Sequence, residues 1–337
     1  MAERTNHVLQ CHLSAWDQIV ELAGKLGASG VWLFRGQEDA KWPLETRIIR
    51  EARTYDVPLP MLRRCEVHML RELKRIGHHY LPSPPGMNQD LEWLELIQHH
   101  SGATRLLDFT WSLYVACFFA LENARGAAAL WALNRFDIEG SRDMSGAGGG
   151  YGTDASGHGP SAREIVEEII RKGTDDPKVY IVTPFRLNDR MVAQQAVSLF
   201  PGSLERSFDQ CLSYSFGGQH VNTHGEAQVV DFSDLIGRLG GRAHLAVKLV
   251  IPHALQLDMM KQLTMMKITA ATLFPDLDGF MRSLLYDIRA GEKYLERMAA
   301  TSGAGTEQAS GGSDAARSSS EQHTGPEPSQ DTDAQSP

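Results

Sequence analysis

Residues Leu113–Leu121 read LYVACFFAL, a run with no polar face. A helix of that composition has to be buried on every side, so the fold must build layers around it. The chain leading into it is the opposite in character. Gln98–Thr110 carries His99, His100, Arg105 and Asp108 within thirteen residues. Thr110 or Ser112 is placed to cap the first helical turn by accepting a backbone N–H that would otherwise lack a partner. Thr104–Phe109 alternates weakly and is too short for a helix, which predicts a central strand. Arg105 and Asp108 are thereby delivered beside a helix N-terminus, where partial positive charge favours anions. Two roles stay open for them: a buried pair that only stabilises the fold, or a pair facing a ligand.

The chain has 337 residues, with 33 basic and 42 acidic side chains and a formal charge of −9. Six acids against Arg317 in residues 299–337 supply −5 of that total. The remaining body is near neutral, which argues against broad electrostatic binding of DNA. Cys11, Cys65, Cys117 and Cys211 are widely spaced and contain no C-x-x-C pair. Such usage points to reduced thiols in the cytoplasm. With no apolar N-terminal leader and no run long enough to span a bilayer, the expectation is a soluble cytoplasmic protein with no membrane contact.

Along the chain, Ser14–Asp17 opens a helix that Gly27 stops, and Gly30–Gln37 follows as an apolar strand ending Phe34-Arg35-Gly36-Gln37. An arginine at a strand end beside a glycine suits a phosphate, because the guanidinium forks onto an anion in a fixed plane. Pro60–Tyr80 and Leu91–His99 read as helices around a Pro-rich turn, and Ala127–Leu133 as a core strand. Residues 137–160 are rich in Gly, Ser and Asp, as expected of a flexible loop. Ser161–Glu164 is a capping box before another helix, and Val179–Thr183 a strand. Asn188–Ala196 reads as helical or tightly turned and places Gln194 and Gln195 amid apolar neighbours, where a buried amide needs partners. His244–Ile251 forms a further strand, and a last amphipathic helix runs to about Met298. Residues 299–337 lack apolar periodicity and are expected to be a disordered acidic tail. His78-His79, His99-His100 and His220-x-x-x-His224 followed by Glu226 bring metal ligands to mind, but adjacent histidines point in different directions on a helix and neither adjacent pair has a third ligand at obvious spacing, so no metal is expected.

These elements predict an α/β (α+β) chain: one compact domain with a central mixed sheet flanked by helices. The Trp32, Leu106 and Trp131 strands should share that sheet.

Four stretches together resemble the FRG domain. They are Phe34-Arg35-Gly36, the Gln98–Thr110 segment with its Thr104–Asp108 core, Asn188-x-Arg190-Met191-x-x-Gln194-Gln195, and Leu273–Gly279. The resemblance spans about 15–298, leaving 1–14 as an N-terminal extension. The chain departs from the family where Gln195 is followed by Ala196 instead of glycine. A weaker resemblance, in motif order, links the chain to ADP-ribosyltransferases. It implies that Arg35 contacts the phosphates of NAD, that Thr110 and Ser112 support the nicotinamide-ribose pocket, and that Gln194 or Gln195 falls near the catalytic acid. A glutamine carries no charge to stabilise an oxocarbenium-like centre, so Asp108 would have to supply the carboxylate. The implied ligand contacts are Arg35, Gly36, Gln37, Thr104, Arg105, Thr110 and Ser112; the implied catalytic set is Asp108, Gln194 and Gln195. Arg35, Arg105, Asp108 and Gln195 are expected to converge on one cleft.

The resemblance implies two functions. One is an NAD-dependent ADP-ribosyltransferase or NAD glycohydrolase, a toxin or phage-defence effector with a protein or nucleic-acid acceptor. The other is a non-catalytic module that binds a nucleotide or a partner.

Overall fold

A computed structural model describes residues 5–27, 30–139, 160–184, 187–225, 227–239 and 246–290. Most of the loop expected at 137–160 and the whole tail at 299–337 lie outside the described residues. Two units are distinguished, 1–286 and 287–337; of the second, only the end of the Leu277–Ala290 helix is described.

The first unit is built on an eight-stranded mixed sheet: β1 (Val8–His12), β2 (Trp32–Gln37), β3 (Leu107–Thr110), β4 (Ala128–Asn134), β5 (Val179–Val182), β6 (Ala196–Pro201), β7 (Gln228–Val229) and β8 (Ala246–Ile251). In space the order is β5-β6-β3-β2-β4-β8-β1-β7, with β1 parallel to both its neighbours and every other pair antiparallel. Thirteen helices accompany it among the described residues. The fold is therefore α/β, and the Trp32, Leu106 and Trp131 segments do lie together, in β2, β3 and β4, with β2 in the middle. Residues 8–12, expected in an N-terminal extension, are instead strand β1, inserted between β8 and β7. The reason is burial: Val8, Leu9 and Cys11 are buried on both sides of the strand, so an alternating pattern never forms.

The Leu113–Leu121 helix packs on one face of the sheet, among Phe34, Leu130, Ala132, Val247 and Leu249. Ser112 is its cap, accepting from the Val115 amide at 3.3 Å. The opposite face carries a second core of Leu33, Leu107, Phe109, Trp131, Val197 and Leu199. A third core joins the Leu59–Ile76, Asp90–His99 and Ala162–Lys172 helices to β5 and β6 through Leu70, Trp93, Val166, Tyr180 and Phe200. The capping box at Ser161 and Glu164 forms as the sequence predicts. All four cysteines are free. Among the described residues no helix is long and apolar enough to cross a membrane.

Gly36 fixes how closely β2 meets the buried helix. A Cβ at this position would overlap the Ala116 carbonyl oxygen and the Ala120 amide nitrogen. Both helix residues are alanines one turn apart, so strand and helix backbones touch directly. Because the clash would be with backbone and not with a flexible side chain, it cannot be relieved by a rotamer change. Gly36→Ala is expected to destabilise the protein by at least about 1–3 kcal/mol, the cost of overpacking a dense core, with a lowered midpoint in urea unfolding as the measurement. An unchanged midpoint would show that the strand can lift away at little cost.

Candidate functional site

The sheet opens between β2 and β3. β2 pairs with β4 from Trp32 to Gln37, but with β3 at a single register, Phe34 opposite Thr110. Past that point the Arg35 guanidinium takes over, donating from Nη1 to the Asp108 carbonyl at 2.5 Å. A cavity of about 440 Å³ lies along this opening. Strand pairing puts Asp108 opposite Ser198 and Thr110 opposite Ala196, and all four line the cavity. Gly36 contributes its bare backbone. From the Asp90–His99 helix come Glu95, Gln98 and His99, spaced i, i+3, i+4 and so on one face. The far wall is Arg190, Gln194 and Phe274.

The wall is tied together by specific contacts. Asn188 caps the Asp189–Ala193 helix by accepting from the Met191 amide at 2.9 Å. The Gln194 amide nitrogen donates to the Leu273 carbonyl at 3.0 Å, and the Thr110 hydroxyl donates to the Gln194 carbonyl at 2.7 Å. Arg190 pairs with Asp276 at 3.0 Å while its guanidinium lies 4.7 Å from the Phe274 ring centre. Phe274 also meets Phe119 edge-on at 6.0 Å. Gln195 takes a left-handed backbone, φ 48°, and lets Ala196 enter β6 directly. That is the conformation for which glycine and asparagine are the usual choices.

The expected site residues separate into two groups. Arg35, Gly36, Gln37, Asp108, Thr110 and Gln194 line one cavity. Thr104, Arg105, Ser112 and Gln195 do not line it, so the expected convergence of Arg35, Arg105, Asp108 and Gln195 holds for Arg35 and Asp108 alone. Arg105 is 1% exposed and grips Glu66 with two bonds, Nε to Oε1 at 2.7 Å and a shorter one from Nη2 to Oε2. Its plane sits over Phe200, and its remaining donor reaches the Pro201 and Gly202 carbonyls. That guanidinium is fully spent inside the protein. Thr104 acts at one remove: its hydroxyl donates to Gln98 Oε1 at 2.5 Å, and Gln98 Nε2 donates to Asp108 Oδ2 at 3.0 Å. Gln37 accepts from Trp131 Nε1 at 2.7 Å and donates to the Pro43 carbonyl at 2.9 Å, so its amide is occupied.

Sequence reasoning missed Glu95. Its side chain is 8% exposed, its Oε1 has no hydrogen-bond partner, and it faces the cavity. Burial pushes its carboxyl up to about 8 from the usual 4.5; the Asp108 charge adds to this, and a hydrogen bond with Ser198 opposes it. Arg35 is the complementary case. Burial lowers its pKa, the Asp108 charge partly restores it, and its Nε is buried without a partner. His99 is lowered by burial and by the Arg190 charge. Perturbed groups gathered in one cleft are the pattern expected of a working site. No group of three or more His, Cys, Asp or Glu side chains able to hold a metal occurs among the described residues.

Both buried groups, Arg105 and Glu95, should make measurable differences to stability. Arg105→Ala strands Glu66 in the core and should cost about 3–5 kcal/mol in urea unfolding; a loss under 1 kcal/mol would mean the pair is dispensable. Glu95 gives a pH dependence. Its folded pKa lies above the unfolded one, so its stabilising protonation is complete below about pH 4.5 and lost as pH rises through about 8. Glu95→Gln should therefore melt higher than the wild type at about pH 8.5, the gap closing toward pH 4.5. Parallel melting curves across that range would contradict the buried, neutral carboxyl.

Residues 30–128 match the family model of the FRG domain. No curated protein and no solved structure matches the chain. The matched span holds Phe34-Arg35-Gly36, Glu95 and Asp108, and the resemblance to ADP-ribosyltransferases finds no counterpart in these comparisons. Over residues 30–128 the chain is thus similar to the FRG domain.

Proposed function

We propose that the opening between β2 and β3 binds NAD and breaks its nicotinamide–ribose bond, passing the ADP-ribosyl group to water or to a hydroxyl-bearing acceptor. One observation carries this: Arg35, Asp108 and Gln194, from three distant stretches, line one cavity. The dissociating bond leaves positive charge on the ribosyl carbon. A fixed carboxylate facing that carbon stabilises the developing charge. Gln194 cannot supply it, but Asp108, held by Gln98, can. Arg35 Nε, buried and unpartnered, offers a donor to a phosphate oxygen.

Shape supports the same ligand. A second cavity of about 690 Å³ adjoins the first across Glu38 and Trp42, which line both. Two lobes joined at a half-exposed tryptophan suit a molecule with two ring systems linked by a pyrophosphate.

Nicotinamide release from NAD by the purified chain, followed by chromatography, tests the proposal. Asp108→Asn should lower the rate by about 10²–10³-fold with an unchanged melting temperature. Arg35→Ala should weaken NAD binding in calorimetry. Absence of both binding and nicotinamide release in the wild type would sink the reading, and normal binding by a folded Arg35→Ala protein would remove Arg35 from it.

A further inference from the structure

Within that cavity a second carboxyl group, Glu95, accompanies Asp108 and leaves one oxygen, Oε1, without a partner. Glu95 belongs to a helix packed against the Leu59–Ile76 and Ala162–Lys172 helices, so the groups that surround it from every side matter. On its own helix Glu92 is bound to Arg163 of the Ala162–Lys172 helix, and Asp90 to Lys74 of the Leu59–Ile76 helix. Also on the latter helix, Glu66 is closed on Arg105. From the sheet come Asp108 on β3 and the Ser198 hydroxyl on β6, with Arg35 on β2 across the cavity. Glu95 itself has no cationic partner among the ion pairs of the described residues. It is a carboxyl more than nine-tenths buried, with Oε1 unsatisfied, on a residue that lines the cavity.

An unpartnered buried oxygen costs stability, and apolar residues of similar size would fill the position better. A leucine at 95 would continue the helix's buried stripe of Leu91 and Leu94. We propose that Glu95 is a catalytic residue of this pocket: its free Oε1 accepts the proton of the water or hydroxyl that attacks the ribosyl carbon. This rests on the NAD reading above. In the step, the bond between the ribosyl carbon and the pyridinium nitrogen breaks and its electron pair leaves with nicotinamide, which becomes neutral. The acceptor oxygen forms the new bond to that carbon, and its proton moves to Glu95, which later releases it to solvent. The two carboxylates thus divide the work, Asp108 stabilising the charged carbon and Glu95 activating the nucleophile. A base is most effective when its pKa lies near the working pH, and burial beside Asp108 brings Glu95 close to that range. His99, which also lines the cavity, is lowered by burial and by Arg190.

The test is the pH profile of nicotinamide release by the full chain, with NAD and water as reactants, from about pH 6 to 9.5. The wild-type kcat should climb about tenfold per pH unit and level off above about 8. Glu95→Gln should lower kcat by about 10²–10⁴-fold, flatten the profile and leave the Kd for NAD within about threefold by calorimetry. Glu95→Asp, which keeps the base but draws it back by one methylene, should restore a sloping profile at reduced kcat. It also carries the test if the glutamine variant does not fold. An active wild type with unchanged kcat and profile in the variants overturns the role of Glu95 while leaving the NAD reading standing. A wild type that neither binds NAD nor releases nicotinamide overturns both.

Discussion

The direct contact of the β2 backbone with the Leu113–Leu121 helix governs the rest of the structure. Gly36 lies against Ala116 and Ala120 with no side chain between them, and a contact of this kind has no slack. β2 is held to the helix on one face and hydrogen-bonded to β4 along its whole length. With β3, on its other edge, it shares only the Phe34–Thr110 pair. The ladder parts there, and the opening exposes backbone groups that a continuous sheet would satisfy. Arg35 answers one of them through the Asp108 carbonyl. The cavity lies where that ladder parts, between the closely packed Gly36 and the Arg35 guanidinium that spans to β3.

Around this opening, buried polar groups fall into those that the fold satisfies and those that it does not. Glu66 and Arg105 satisfy each other, with Phe200 and two carbonyls completing the guanidinium's surroundings. Asp209 is likewise engaged by the Thr223 amide and hydroxyl. Glu95 Oε1 and Arg35 Nε are buried without partners, and both residues line the same cavity. Leaving a polar atom orphaned costs roughly 1–3 kcal/mol. Two such costs on opposite sides of one cleft are intelligible if a ligand with both an acceptor and a donor offsets them.

Much of the framework was legible because it rests on local pattern. The all-apolar run, the short β2 and β4 strands, the Ser112 cap and the Ser161 capping box each follow from neighbours in sequence. What failed was long-range pairing. Arg105 sits three residues from Asp108, which invites a local pair, yet its partner Glu66 lies 39 residues upstream in the Leu59–Ile76 helix. Glu95 was invisible for a similar reason, since a glutamate among Leu94, Leu96 and Gln98 reads as part of a polar helix face. The i, i+3, i+4 series of Glu95, Gln98 and His99, running straight into the Asp108 segment, was the available signal. β1 escaped notice because full burial removes the alternation by which short strands are found.

The cavity also shows that residues 30–128 cannot form the site alone. They supply the sheet face and the Asp90–His99 helix, hence Arg35, Glu95, Gln98, Asp108 and Thr110. The opposing wall is Arg190, Gln194, Ser198 and Phe274, all beyond residue 128. These later segments are bound to the earlier ones by directional bonds, Thr110 to Gln194 and Gln194 to Leu273. Phe274 is held beneath two guanidinium groups, Arg190 at 4.7 Å and Arg282 at 3.8 Å, and Arg282 in turn grips Glu122 just past the buried helix. A cation over an aromatic face is favourable by about 0.5–2 kcal/mol depending on exposure, and here two such contacts act on one ring that meets Phe119 at its edge. The Asn188–Gln195 and Leu273–Gly279 stretches are thereby explained as structure: they carry the wall and fasten it to the helix on which the fold is built.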